Sequence, residues 1–421
     1  MSRNVVVIGA GVVGAATALE LLRDGHSVQI IEPAEPGGEQ AASYGNAGWL
    51  SSMSVIPPAS PGLWKKVPKL IADPLGPLAI RWMYLPKAAP WLIRYLLAGW
   101  TEAKVENIAR ALRPLIVDAP RLHQGLAEEA GVSRLIERRG LIYVYPSRAA
   151  FEAEAMSWRI RRKVGIEWVE LSTEELRQRE PDLAPRYTFG IYVAEGGHCR
   201  SPGTYVAALA ALAQQRGAGM RRTRASGFKI EAGKLRAVVT PDGDVPCDAA
   251  VICAGAWSKT LAAAAGDRVP LETERGYHAV LDHPAAYPRS PLNFSDLKLV
   301  MNMTEHGLRS AGQVEIAGLD AAPDWRRAEI LRDHMLRCFP ELPRDLPPER
   351  FKLWMGHRPS TPDGLPCLGR SRATPDIVYA FGHGHVGLVA APRTGRIAAQ
   401  LIAGLEPEAP IAPFDPRRFR A

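Results

Sequence analysis

Cysteine is scarce in this chain. Five occur in 421 residues, at positions 199, 247, 253, 338 and 367, and none are spaced as C-x-x-C. The familiar zinc patterns and an even-numbered disulfide framework are thereby excluded. A reducing, cytoplasmic setting is the expectation. Long apolar runs are lacking too. No stretch approaches the ~20 residues that a membrane-spanning helix needs. The net charge of +8 is not concentrated, because basic residues form only small groups such as Arg138-Arg139, Arg159 to Lys163 and Arg221 to Arg224. No aromatic-basic repeat accompanies them, so no nucleic-acid partner is expected. Internal repeats and a long disordered tail are also missing. The length suits two intimately packed domains.

What is present begins at once. Val5 to Ile8 read as a short buried strand of a parallel sheet. Gly9-Ala10-Gly11-Val12-Val13-Gly14 follows, then an Ala/Leu-rich helix to about Arg23, then a second strand, Val28 to Ile31, ending at Glu32. An apolar run after Arg3 imitates a signal peptide, but the glycine fingerprint marks it as structure. Gly9 permits a tight turn, Gly11 clears the approach of a pyrophosphate, and Gly14 lets helix and sheet pack closely. The helix N-terminus at Val12 and Val13 offers N–H groups to the anion. Glu32, 18 residues after Gly14, accepts from ribose hydroxyls and repels a 2′-phosphate. The turn alone leaves NAD and FAD open. Two later elements favour FAD. The strand Ala249 to Cys253 stops at Gly255 and Trp257, and Gly382-His383-Gly384-His385-Val386-Gly387 opens the last long helix. A helix N-terminus aimed at a flavin pyrimidine stabilises its reduced form.

Between these elements lie alternating stretches, Tyr277 to Leu281 and Leu299 to Met303, which suggest an antiparallel sheet. Residues 104 to 130 read as one helix, and Lys352 to Met355 as a short strand. The fold expected is α/β. A Rossmann-like FAD-binding domain of the glutathione-reductase type (1–60, 196–265, 352–421) interleaves with an α+β substrate domain on an antiparallel sheet (61–195, 266–351). Residues 61 to 100 hold Trp64, Trp82, Tyr84, Trp91, Tyr95 and Trp100 among prolines. They read either as amphipathic helices covering the domain or as a peripheral contact with the inner face of the cytoplasmic membrane.

The chain resembles the FAD-dependent D-amino-acid oxidase and dehydrogenase superfamily, most of all its bacterial D-amino-acid dehydrogenase branch. The likeness spans nearly the whole chain. It rests on Val5 to Glu32, Ser43-Tyr44-Gly45-Asn46-Ala47-Gly48, Gly197 to Arg200, Val251 to Ser258, Arg275-Gly276-Tyr277, Gly356 to Pro366 and Gly382 to Gly387. The resemblance implies that Gly9, Gly11, Gly14 and Glu32 hold the ADP part of FAD. It implies that Asn46, Ala47 and Gly48 pass by the flavin ring, and that Gly384 to Gly387 meet its pyrimidine side. Arg358 would clamp the substrate carboxylate, supported by Tyr277. Sarcosine-oxidase-like members often attach flavin through a cysteine just before the segment matching Pro362-Asp363. Cysteine is absent there, so FAD is expected to be non-covalent.

A planar guanidinium at Arg358 pairs a carboxylate bidentately and aims one Cα–H at flavin N5. His357 and Tyr44 are further candidates at this end, each with a purely structural reading beside it. His383 and His385 bring either positive charge near the flavin or only backbone bonds, and no carboxylate or cysteine is spaced to complete a metal site with them. The expected reaction is oxidative deamination of a small amino acid, by the resemblance a D-amino acid. Its imino acid would hydrolyse to a 2-oxo acid and ammonia. Oxidation of a secondary amine such as hydroxyproline, proline or an N-alkyl glycine stays open, as does a flavin-binding partner protein without turnover. A membrane quinone or another acceptor would take the electrons. Substrate side chain and oligomeric state are not specified.

Overall fold

The computed structural model describes residues 2–67, 73 and 75–419. Its first sheet has six strands in the order Gly219–Arg221, Ser27–Ile31, Asn4–Ile8, Ala249–Ile252, Ile377–Phe381, Cys367–Arg370. All neighbours are parallel except the last pair. Val5 to Ile8 and Ala249 to Ile252 are buried on both faces, as continuous apolar runs in such a sheet require. The Gly9 N–H donates to Ile31 O (2.8 Å), closing the turn. The helix Val12–Arg23 follows it and is buried over its first ten residues. It packs against the last long helix, Gly387–Ala403.

The second sheet has nine strands. Its path runs Phe351–Ser360, Glu272–Leu281, Gly307–Ile316, Leu299–Thr304, Leu292–Phe294, Leu141–Tyr145, Phe189–Val193, Val169–Leu171, with Leu78–Ile80 also on Gly307–Ile316. Successive side chains of a strand point to opposite faces, and register carries one face across the sheet. Trp354 pairs with His278, His278 with Ala311, Ala311 with Val300, Val300 with Asn293 and Asn293 with Tyr143. Five strand spacings of about 4.8 Å make this row roughly 24 Å long. It floors a cavity between the two sheets. The opposite face packs on the helix Arg326–Cys338.

Two sequence expectations shift. The strand expected at Lys352 to Met355 runs from Phe351 to Ser360, and it belongs to the second sheet, so residues 352–360 leave the first domain as drawn from sequence. Pro359 is tolerated because this is an edge strand. The helix expected over 104 to 130 is two, Glu102–Ile116 and Ala119–Glu129. They are split at Val117–Asp118, where Asp118 has φ 59° and Pro120 opens the next helix. The aromatic segment supplies the helix Leu85–Ala98, which buries Ala88, Trp91 and Tyr95. Within the described residues no helix is long and apolar enough to cross a membrane.

Candidate active site

A single cavity of about 1850 Å³ runs from the glycine turn to the antiparallel sheet. That is well beyond the usual size of a small-ligand pocket and leaves room for a dinucleotide with a substrate. Gly9, Gly11, Val12, Val13 and Glu32 line its first end. Gly9 has φ +103°, and a Cβ on Gly14 would lie 1.9 Å from the Gly9 carbonyl oxygen. The turn therefore closes only with glycine at both positions. Gly14 packs behind the wall and does not touch the cavity. Gly11 brings no capping side chain to the helix that starts at Val12, and the Ser43 hydroxyl takes only the Val12 N–H, at 3.1 Å, so the positive end of the helix still opens toward an anion. Glu32 accepts from the Ala10 N–H at 2.8 Å and the Ala34 N–H at 3.2 Å. Those bonds aim its carboxylate into the cavity beside the turn. These residues fit the ADP half of FAD.

The middle of the wall comes from three places. Asn46 and Ala47 line it from the loop after the second strand, Gly255 and Trp257 from the end of Ala249–Ile252, and Gly382 to His385 with Gly387 from the start of the last helix. Gly48 and Val386 do not reach it. Gly48 packs on Cys199, whose N–H donates to the Gly48 carbonyl at 2.7 Å, and Val386 is a core residue. Cys253 lines the nucleotide end, with its thiol pushed up to about 12 by burial. Cys367 is buried outside the wall.

Arg358 marks the far end. It shares a face of the sheet with Glu274 and Gly276, since Glu274 pairs with Arg358 and Gly276 with Gly356. Its guanidinium lies flat over Gly276, where a Cβ would sit 2.1 Å from Nη2. Only glycine leaves space for it. Nη1 donates to Gln313 O (3.1 Å) and Nη2 to Gly312 O (3.4 Å). Among the described residues no carboxylate pairs with it at contact distance. Burial pulls its pKa below the ordinary arginine value, with Glu274 opposing. An arginine held by neutral carbonyls on a cavity wall lacks its counter-ion.

The other expected residues divide. Tyr277 stands on the opposite parity of the strand from Gly276. Its hydroxyl donates to Glu315 (2.6 Å) and accepts from the Asp324 N–H (3.2 Å). Tyr277 lines the cavity all the same, with that proton committed to Glu315. Tyr44 departs from its expected place. Its hydroxyl donates to Glu39 (3.0 Å) and accepts from Lys352 (3.2 Å), away from the cavity. His357 and His383 line the cavity. Burial lowers them to about 4 and about 3, so neither brings positive charge at neutral pH. Their partners are the hydroxyls of Thr273 (2.9 Å) and Thr394 (3.1 Å). His385 differs: its Nε2 is 2.9 Å from Glu274 Oε2.

Glu274, Ser360 and Tyr95 escaped the sequence reading. Ser360 Oγ donates to Glu274 Oε2 at 2.8 Å. Tyr95, from the helix Leu85–Ala98, lines the cavity, and burial together with Glu274 raises its pKa. Strand alternation counted from Gly276 would have placed Glu274 on the cavity face. Nothing in the sequence places Tyr95 there. Among the described residues no group of three His, Cys, Asp or Glu is arranged to hold a metal.

Comparison with known proteins shows the family. A family model described as DAO, FAD dependent oxidoreductase, matches residues 4–401. A protein of Bradyrhizobium diazoefficiens named D-amino-acid oxidase is 63% identical over 99% of both chains. One of Paramagnetospirillum magneticum named D-amino acid dehydrogenase is 31% identical over 95% of both. Among solved structures, glycine oxidase from Geobacillus kaustophilus superposes with a TM-score of 0.74 at 23% identity, covering 100% of both chains, and shares the fold.

Proposed function

Because this chain belongs to the DAO family of FAD-dependent oxidoreductases, we propose that it oxidises a small D-amino acid to the imino acid, which hydrolyses to a 2-oxo acid and ammonia. The single observation that carries the reading is Arg358, an arginine without a counter-ion on the wall of a cavity that is continuous with the nucleotide turn. The names of the relatives supply the chirality.

Arg358 binds the α-carboxylate, and the bonds to Gln313 and Gly312 hold its plane fixed. Fixing the carboxylate restricts the substrate to rotation about one bond, which is the orientation effect that makes a bound reaction effectively unimolecular. Tyr95 and Trp354 line the same cavity. Bound FAD supplies a two-electron acceptor for the Cα hydride. We read the cofactor as non-covalent, because Cys367 lies outside the cavity wall and Cys253 sits at the nucleotide end.

For the electron acceptor we favour oxygen over the quinone expected from sequence, since the 63% relative is named an oxidase. The exposed Trp64, Trp82, Met83, Ile93, Leu97 and Trp100 suit a peripheral membrane contact, and co-sedimentation with anionic vesicles tests that part. The main test is anaerobic. The holoenzyme is mixed with paired D- and L-amino acids, proline and hydroxyproline included, and the visible flavin band is followed before air or a quinone analogue is admitted. Bleaching by D-amino acids and return in air are expected. No bleaching by any amino acid contradicts the reading.

A further inference from the structure

Glu274 has two oxygens in different situations. Oε2 takes both hydrogen bonds, from Ser360 Oγ at 2.8 Å and His385 Nε2 at 2.9 Å. Oε1 has no partner among the described residues. The side chain is 3% exposed and lines the cavity. A buried carboxylate normally satisfies its lone pairs, so an idle oxygen facing a cavity is a place made for a donor.

Its neighbour explains which donor. The Arg358 guanidinium lies over Gly276, two residues along the strand from Glu274, or about 7 Å. A cation without an anion and an anion with one oxygen idle therefore stand side by side on one sheet face. A zwitterion spans that separation, with its carboxylate on the arginine and its ammonium on Oε1. A plain carboxylic acid fills only half of it.

We propose that Glu274 receives the α-ammonium of the substrate on Oε1 and takes one of its protons. This rests on the amino-acid reading above. One N–H bond of the ammonium breaks and an Oε1–H bond forms, with the electron pair staying on nitrogen. The Cα–H then leaves with both its electrons, accepted by bound FAD, and the nitrogen pair becomes the second bond of C=N. The substrate is oxidised by two electrons, and the transferred proton rests on Glu274 until product departs. His385 and Ser360 are positioning residues that keep Oε2 engaged and Oε1 pointing inward.

The surroundings suit a group that changes state once per turnover. Burial favours the neutral acid, but His385, Ser360 and Arg358 outweigh it and hold the carboxyl below its ordinary range. A substrate carboxylate on Arg358 cancels one of those supports, so Glu274 gains proton affinity as the substrate arrives. The other groups facing it are Tyr95 from the helix Leu85–Ala98 and His383, neutral at about 3, from the start of the last helix. Two residues away on its own strand, Glu272 accepts from the Tyr84 hydroxyl at 3.0 Å.

Glu274→Gln holoenzyme tests this, since it keeps the shape of the side chain and removes the charge. Anaerobic flavin reduction by D-alanine should slow about 100-fold at neutral pH and recover as pH rises toward ionisation of the free amine. Propionate, which has a carboxylate and no amine, should bind as tightly or more tightly, read from its perturbation of the flavin spectrum. Propionate binding also shows that the variant is folded. An unchanged pH profile of reduction overturns the proposal. So does weakening of propionate as severe as that of D-alanine, which would make Glu274 a prop for Arg358. Wild-type enzyme that no amino acid reduces overturns the amino-acid reading itself, and this proposal with it.

Discussion

At the glycine turn the cavity is bounded by main chain, and at the antiparallel sheet it is bounded by charged side chains. The first end works by omission. Gly9, Gly11 and Gly14 remove side chains so that a helix N-terminus and one carboxylate meet the ligand. The second end works by leaving charge unpaired, at Arg358 and on one oxygen of Glu274. Deep in the same sheet one cluster of charges is matched. Glu315 takes Arg81, Arg275 and Tyr277 at once, and that cluster has nothing left for a ligand. A buried charge signals function when its partner is missing, and signals packing when its partners are complete.

This contrast can be broken experimentally. Arg358→Ala should give the largest effect, a loss of about 10³-fold in kcat/KM for D-amino acids, of the order found on truncating one side of a buried ion pair. FAD content, read from the visible absorbance per chain, should stay normal. Loss of flavin in that variant would mean that the two ends are not separable. Gly14→Ala is the converse. Its Cβ would meet the Gly9 carbonyl at 1.9 Å, so the protein should lose about 3 kcal/mol of stability and most of its FAD, measured by denaturant unfolding and absorbance. Tyr277→Phe sharpens the division within the sheet. We expect a stability loss of about 1–2 kcal/mol from leaving Glu315 short of a donor, with kcat/KM changed less than about threefold. A drop comparable to that of Arg358→Ala would return Tyr277 to the substrate.

The last effect concerns pH. Burial lowers His357 to about 4 and His383 to about 3. The folded state therefore binds fewer protons than the unfolded chain below about 6.5. Stability from these groups is fully present above that pH and is lost as pH falls toward 4 and 3, by roughly 1 kcal/mol per pH unit for each ring. Melting curves from pH 7 to 4.5 on wild type and His383→Asn check this. The variant should show the shallower acid decline.

Much of the nucleotide end was legible because its meaning is carried by spacing. Glycines at 9, 11 and 14 and an acid at 32 state a turn, a helix start and a carboxylate beside it whatever surrounds them. The strand at 249 to 253 and the last long helix, expected to open at Gly382 to Gly387 and found at Gly387–Ala403, were likewise readable as apolar runs. The substrate end was less so. Arg358 and Tyr277 were singled out by resemblance and both line the cavity, but Tyr277 sits one residue out of phase with Gly276 and Glu274. A one-residue change reverses the face of a strand, and the pairing that fixes it joins residues about 80 positions apart. Glu274 stayed hidden for the same reason, within a ten-residue strand that is buried throughout. Tyr44 lay too far along its loop, held by Glu39 and Lys352, a pairing of distant charges that no local pattern announces.

The most direct test of the whole account is a crystal structure of the holoenzyme with a 2-oxo acid product bound under anaerobic conditions. The account predicts the adenosine ribose on Glu32, the pyrophosphate at Gly11 to Val13, and the product carboxylate paired with the Arg358 guanidinium. A carboxylate seated on any other arginine of the cavity, with Arg358 still bonded only to Gln313 and Gly312, would contradict it.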